Sequence, residues 1–419
     1  ICRLDLERCM KPVEVIEKTI VFRAREENVF CYRIPALIRT SKGTLIAFCE
    51  ARQRSCSDWA HSAIMTRRCV DPINRLSEWE RQTVVKESTR VVEAKTFHEI
   101  LEAERYAELH GIDSDADDYV PLIDVVTNNP VPIVDRDGKT IHLVYCDHYD
   151  RAYYTQSTDD GVSWAESRDI TAVFEAYRSK WDWTCIAAGP GHGLQMSKGP
   201  HVGRLIVPFW MAANQEDRGS HHPTEVVTIY SDDAGTTWHA GEFIPSQIHD
   251  PNESQIEELE NGNVLMMTRS RETSEEKNPR RTRAYAISPD GISRWSSYQF
   301  GYEVPEPQCM GSVIRYSWAS ANEPGRLLYC CCDNRDLPIK ELEVRKNVAL
   351  FLSVDDGNTW PISRIFETGA AAYVDLAVDP KNRWIYALVE SQLGQDVPNP
   401  YESQKIYRIP LSWLEDAKK

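Results

Sequence analysis

Three arginines stand where charge is costly. Arg33 lies inside the apolar run "YRIPALI", Arg269 ends "VLMMTRS", and Arg345 comes just before "NVALFLS". A guanidinium embedded in or abutting a stretch of high strand propensity needs a partner or a ligand. Taken singly, each is most simply a member of a structural ion pair. Three guanidiniums converging on one point are how a protein grips a carboxylate, through planar, charge-assisted and often bidentate hydrogen bonds.

The other polar clusters carry less chemistry. "GPGHG" around His192 lacks the lysine of a phosphate loop and the G-x-G-x-x-G of a dinucleotide site, so no phosphate cradle is expected. The histidines of "GSHHPTE" (219–225) read as a solvated loop. "DSDADDYVPLID" (113–124) opens like a calcium loop, but Asp118 replaces the glycine and Asp124 the glutamate such a loop requires, which favours a solvated acidic loop. The 12 cysteines contain no CxxC pair, and the three in "LLYCCCDN" alternate faces along a strand, so no metal site is expected and most cysteines read as buried reduced thiols. No cofactor is implied.

Positioning any such cluster falls to a large β-structure. Short apolar runs such as "TLIAFCE", "IHLVYC", "RLIVPFWM", "VVTIYS", "RLLYCCC" and "WIYALVE" recur along the chain, punctuated by Gly, Asn, Asp and Pro. Three segments, "STDDGVSW" (157–164), "SDDAGTTW" (231–238) and "SVDDGNTW" (353–360), share the form S-x-D-x-G-x-[ST]-W, which is called an Asp box. In each, the Asp can accept from backbone N–H groups of its own turn, the Gly permits positive φ, and the Trp covers the neighbouring strands. "SPDGISRW" (288–295) is a degraded copy, and "RLSEW" (75–79) keeps little beyond the Trp. Repeated hairpin braces imply radial repetition, so the expected fold is all-β: a six-bladed β-propeller filling residues 1–419 as one domain. One stretch breaks the pattern. "VVEAKTFHEILEAERYAELHG" predicts a helix over about 91–111, with Phe97, Ile100 and Leu101 on one face, inside an insertion spanning 88–124.

A formal charge of −16 argues against nucleic acid and anionic membranes as partners. No apolar run reaches the roughly 20 residues of a membrane span. The opening "ICRLDLERCM" is neither an initiator Met nor a signal peptide, so an upstream targeting segment is expected to have been removed, favouring an extracellular or cell-surface location over a cytoplasmic one.

The ordered set "CYRIPALI", "GTLIAFCEARQRSCSD", the Asp boxes, "AAGPGHGLQM", "NESQIEELENGNVLMMTRS", "PQCMGSVIRY", "VRKNVALFLS" and "GAAAYVDLAV" resembles the exo-α-sialidase (neuraminidase) family of bacteria and animals, from about residue 20 onward. The resemblance implies that Arg33, Arg269 and Arg345 hold the carboxylate of a sialic acid and that Glu390 braces Arg33. It implies Asp58 as acid/base, and Tyr373 with Glu253 as the nucleophile pair. Glu50 and Arg52 would contact the O4 side of the sugar, and Asn129 of "TNNPVPIV" the O4 or N-acetyl side. The sequon at Asn252 overlaps the catalytic Glu253 and is expected to stay unmodified. Trp59 departs from the smaller or acidic residue many members carry there, which implies a differently shaped pocket loop.

The expected activity is retaining hydrolysis of terminal α-linked sialic acids from glycoproteins, glycolipids or oligosaccharides. A trans-sialidase, intermolecular or intramolecular, would use the same residues. A non-catalytic Asp-box module that binds sialylated glycans would lack Tyr373, Glu253 or Asp58, and all are present. The tetrapeptide YRIP occurs twice. The first copy is followed by Glu50, Arg52 and Asp58, whereas the second, at 407–410, is followed by none of these, so Arg408 is expected to be structural.

Overall fold

The computed structural model describes residues 15–418 except 115, 117, 118, 217–219, 273, 275, 339, 340, 342, 343 and 395–398. The opening decapeptide and three aspartates of the acidic loop (Asp115, Asp117 and Asp118) therefore lie outside the described residues. No helix among the described residues is long and apolar enough to cross a membrane.

The structure is all-β and propeller-like. Strand β1 (Glu17–Arg23) precedes a first sheet of β2 (Cys31–Arg39), β3 (Leu45–Arg52), β4 (Ser62–Cys69) and β5 (Thr83–Glu87). The short pair β6 (Val91–Glu93) and β7 (Leu122–Asp124) flanks helix α1 (Phe97–His110). Next come β8 (Thr127–Val134), β9 (Ile141–Asp147), β10 (Arg151–Ser157) and β11 (Arg168–Asp169). The following sheet holds β12 (Cys185–Ala188), β13 (Leu194–Gln195), β14 (Leu205–Ala212), β15 (Thr224–Ser231) and β16 (His239–Phe243). Another holds β17 (Ser254–Glu258), β18 (Val264–Thr268), β19 (Thr282–Ser288) and β20 (Gln299–Pro305). The chain ends with β21 (Ser312–Ser317), β22 (Arg326–Cys332), β23 (Lys346–Ser353), β24 (Ile362–Asp379), β25 (Trp384–Ser391), β26 (Ser403–Pro410) and the short helix α2 (Leu411–Glu415).

Four antiparallel sheets of four or five strands thus stand as separate blades, not the six expected. The remaining strands form one seven-stranded sheet because β24 runs unbroken for 18 residues, pairing with β23 along its first part and with β25 along its second. The outer strand of that sheet is β1, which pairs with β26 and so joins the start of the described chain to its end. Apolar layers fill the gaps between successive sheets. Phe48 meets Leu143, Val144 meets Val207, Ile206 meets Val264, and Leu265 meets Leu327 in four of them. Leu350 shares a layer with Leu376 across the two parts of the long sheet, and Leu388 one with Leu37 where the ring returns to the first sheet. At the centre, the fully buried Asp375 accepts from the Leu37 amide at 2.8 Å and from the Ser312 hydroxyl at 2.7 Å, and lies 2.8 Å from His192 Nδ1, tying three parts of the ring together.

The Asp boxes behave as their chemistry requires. In 231–238, Ser231 donates to Asp233 at 2.8 Å, Asp233 accepts from the Thr237 amide and hydroxyl at 2.7 Å each, and the Gly235 amide donates to Ser231 at 2.9 Å. Gly235 has φ +81°, and a Cβ there would collide with the Tyr154 hydroxyl. The degraded copy is intact in hydrogen bonding: Gly291 donates to Ser288 at 2.9 Å and Ser293 to Asp290 at 2.8 Å, although its loop is one residue shorter.

Helix α1 begins at Phe97, later than the periodicity predicts, because Val91–Glu93 pair with β7 and Thr96 closes a capping box with Glu99. Of its predicted face, Ile100 and Leu101 are exposed and the side chain of Phe97 lies outside what is described, whereas Glu99, Glu102, Ala103 and Ala107 are buried. The two glutamates face inward because they meet His148 (2.9 Å) and Ser55 (2.9 Å) on the loops beneath.

Candidate active site

One end of the ring collects the loops that join the second and third strands of each sheet, together with the starts of the inner strands. Three inner strands carry register irregularities there, at Arg33/Ala36, Asn128/Val131 and Ala371/Val374, and Ile34 and Asn129 have φ of +56° and +54°. Such bulges re-aim side chains at the rim of a sheet. Here they line a cavity of about 370 Å³.

Arg33, Arg269 and Arg345 all reach this cavity. Arg33 Nε donates to Glu390 at 2.9 Å, and Glu390, fully buried, also accepts from the backbone of Ile34 (2.8 Å) and of Tyr373 (3.2 Å). One carboxylate therefore fixes an arginine and the backbone of the phenol beside it. Arg345 is set by the Gln308 carbonyl at 2.8 Å and the Tyr401 hydroxyl at 3.4 Å, and Arg33 lies 4.0 Å over the Tyr401 ring. Each guanidinium keeps donors for a ligand in the cavity.

Tyr373 donates its hydroxyl to Glu253, whose other oxygen accepts from Arg269 at 2.6 Å; Arg269 also donates to the Tyr373 oxygen at 3.1 Å. Burial, then the negative charge of Glu253, pushes the phenol well above its ordinary pKa despite Arg269 and Arg345 nearby. The resting phenol is neutral, with a base already on its proton.

Asp58 sits on the β3–β4 loop with its side chain 49% exposed, 2.9 Å from Arg52. Burial alone would raise its pKa. Arg52, His221 and Arg33 outweigh it and hold the carboxyl well below the usual range. Glu50 and Arg52 themselves are fully buried and do not line the cavity. They form an ion pair at 2.7 Å one layer behind it, where Glu50 accepts from the Asn129 amide at 2.8 Å and Arg52 holds Asp58. Both thus stand behind the cavity wall, whereas the resemblance implies contact with the O4 side of the sugar. Asn129 does line the cavity, with its Nδ2 donating to the Ala188 carbonyl at 3.0 Å.

The loop bearing Asp58 is heavily tethered. Cys31 and Cys56 form a disulfide, two residues before Arg33 and Asp58 respectively; the eight other described cysteines are buried thiols, as expected of most of them, and Cys2 and Cys9 lie outside the described residues. The Cys56 carbonyl accepts from Arg52 at 2.6 Å. The insertion contributes Glu102 to Ser55 and Asp124 to Arg54. Trp59 turns away from the cavity and packs against Tyr149 and His148, with ring centroids 5.1 and 5.3 Å apart.

Sequence reasoning missed the rest of the lining. Tyr149, Trp210 and His221 form an aromatic wall, with His221 4.8 Å from Tyr149 and 5.0 Å from Trp210. His222, 3.1 Å from Asp250, and the exposed Arg271 complete that side, so the paired histidines, half-buried, line the cavity. Asn252 is buried, and its Oδ1 accepts from the Glu253 amide at 2.9 Å.

The propeller-like ring of sheets thus gathers three arginines, a phenol hydrogen-bonded to a carboxylate and a tethered aspartate at one cavity. The BNR repeat-like domain model matches residues 116–385, most of the chain. The chain is 26% identical to the sialidase of Micromonospora viridifaciens over 83% of its own length and 48% of that protein's, so it spans about half of that relative. It is 25% identical to sialidase-3 of Rattus norvegicus over 86% of its length and 87% of that protein's. Among solved structures it resembles a Hadza microbial sialidase, Hz136 (TM-score 0.65, 20% identity, 95% of this chain and 69% of that one), and a leech intramolecular trans-sialidase (TM-score 0.68, 16% identity, 95% and 71%). The chain belongs to the BNR-repeat proteins and, within them, to the sialidase (neuraminidase) family.

Proposed function

We propose that this protein is a retaining exo-α-sialidase that releases terminal sialic acids from glycans through a tyrosyl intermediate. The observation that carries the reading is the Tyr373–Glu253–Arg269 cluster in one cavity with Arg33, Arg345 and Asp58. The seven-stranded sheet is read as two blades joined through β24, giving six around a single catalytic domain.

The anomeric carbon of sialic acid carries a carboxylate, so a carboxylate nucleophile would approach against like charge; a neutral phenol does not. Arg33, Arg269 and Arg345 hold the substrate carboxylate and fix the ring. Tyr373 attacks as Glu253 takes its proton, the bond to the leaving oxygen breaks, and Asp58 protonates that oxygen. In the second half, Asp58 removes a proton from water, the water oxygen bonds to the anomeric carbon, and the departing phenolate recovers its proton from Glu253. Arg52, His221 and Arg33 keep Asp58 ionised. A bound carboxylate offsets the field of Arg33 and adds negative charge nearby, so substrate binding itself raises Asp58 toward the protonated form.

The test is turnover of a fluorogenic sialoside by the wild type and by Tyr373→Phe. The variant is expected to lose about 10³-fold or more in kcat. Full activity in the variant sinks the nucleophile assignment, and an inert wild type sinks the enzyme reading in favour of a glycan-binding propeller. The leech neighbour was solved with 2,7-anhydro-Neu5Ac, so product analysis discriminates further: free sialic acid marks hydrolysis, and an anhydro sugar or new glycoside marks transfer.

A further inference from the structure

Glu390 braces one gripping arginine from behind the cavity, and a second buried carboxylate stands behind the other two. Glu306, on the connection between β20 and β21, is 2% exposed and pairs at 3.0 Å with Arg283 of β19, itself 1% exposed. Neither side chain lines the cavity. A buried ion pair adds little stability by itself, since the cost of desolvating two charges roughly cancels their attraction. What this pair does is read from its other hydrogen bonds.

Each oxygen of Glu306 takes a backbone amide. Oε1 accepts from Gln308 at 2.8 Å, and Oε2, beside the Arg283 guanidinium, accepts from Ser270 at 3.1 Å. Ser270 follows Arg269 directly, so this bond fixes the backbone from which Arg269 reaches Glu253 and Tyr373. Gln308 has φ +51°, a conformation that a residue other than glycine keeps only where its surroundings hold it. Its carbonyl accepts from Arg345 at 2.8 Å, and the carbonyl of the next residue, Cys309, accepts from Arg283 at 2.7 Å. The ion pair thereby clamps the loop on both sides of the carbonyl that sets Arg345.

We infer that Glu306, fixed by Arg283, is a positioning residue that sets the spacing of Arg269 and Arg345 and with it the strength of the carboxylate grip. The inference rests on the sialidase reading above. Glu390 touches its arginine directly, whereas Glu306 acts on two arginines through the backbone of two different connections. Charge-assisted bonds from a planar guanidinium depend on angle as well as distance. A shift of the Ser270 or Gln308 backbone therefore weakens the hold on a carboxylate without removing any group that touches it.

The experiment measures dissociation constants for a 2,3-didehydro sialic acid and for its methyl ester, which lacks the anionic carboxylate, in the wild type, Glu306→Gln and Glu306→Asp. The ratio of the two constants reads the grip on the carboxylate. A protein that is merely less stable binds both ligands more weakly and leaves the ratio alone. Glu306→Gln turns an amide N–H toward another donor, and is expected to cut the preference for the free acid about tenfold and to raise KM for an aryl sialoside by a similar factor. Glu306→Asp keeps the charge opposite Arg283, so it stays informative if the glutamine variant fails to fold. Its carboxylate is one methylene short of holding both amides, and it is expected to cut the preference about threefold. A ratio unchanged from wild type in either folded variant overturns the positioning role. A wild type that binds acid and ester equally overturns instead the sialidase reading beneath it.

Discussion

Tyr32–Pro35 and Tyr407–Pro410 are the same four residues in two settings. Both arginines are nearly buried, at 6% and 7% exposure, and each lies over an aromatic ring. Arg33 stands at the start of an inner strand, where the bulge turns it into the cavity and a fully buried Glu390 takes one edge of its guanidinium. Arg408 lies on β26 and turns its two terminal nitrogens to the Pro72 and Ile73 carbonyls and to Glu17 of β1. One arginine opens onto the cavity, and the other fastens the end of the ring to its beginning. A motif's chemistry is therefore set by what faces it across the fold.

The contrast can be broken by exchange of single residues. Arg33→Ala should cut kcat/KM by at least about 10²-fold and also destabilise by about 3–5 kcal/mol, because Glu390 is left as an unpaired buried charge. Arg33→Lys keeps that charge balance but not the fork. A thermal midpoint near wild type together with lost turnover would separate grip from stability. Asp58→Asn should lose about 10²–10⁴-fold on natural glycosides and much less on aryl sialosides, whose leaving group needs no acid; equal losses would remove Asp58 from that role. Arg408→Ala should leave kcat/KM unchanged while costing about 1–3 kcal/mol of stability in urea titration, from the two stranded carbonyls; its half-exposed partner Glu17 adds little.

The smallest effect is on the opposite end of the ring. Asp233 is held at about 2 by the amide and hydroxyl of Thr237 and the hydroxyl of Ser231. A folded-state value below the unfolded one, near 3.9, gives stability that is present above about pH 4 and lost as pH falls toward 2. Asp233→Asn should flatten the acid limb of thermal midpoint against pH in that window, and an unchanged limb would exclude the box as its source.

Much of the fold was legible because it is written locally. Each Asp box closes on itself within a few residues, and the apolar runs mark the strands. The count of separate blades was not legible, since nothing around Gly369–Ala371 announces that β24 continues from one sheet to the next. The start of α1 was misread because the partner of Val91–Glu93 lies beyond the helix, outside any local window. In the site, Glu50 and Arg52, two positions apart, share one face of β3, but period-two patterning does not say which layer covers that face. Tyr149, Trp210, His221, Arg271 and Tyr401 come mainly from loops or strand ends without periodicity, and only the folded ring brings them together.

Pairing β1 with β26 has a consequence for biogenesis. Arg33 and Glu390 are separated by 357 positions, and Tyr373 and Glu253 by 120. On a ribosome, Arg33 emerges long before the Glu390 that braces it, so the cavity cannot be assembled until the last sheet is made and the ring is fastened. A nascent or C-terminally clipped chain would therefore carry most of the residues that line the cavity without the strand that holds them in place.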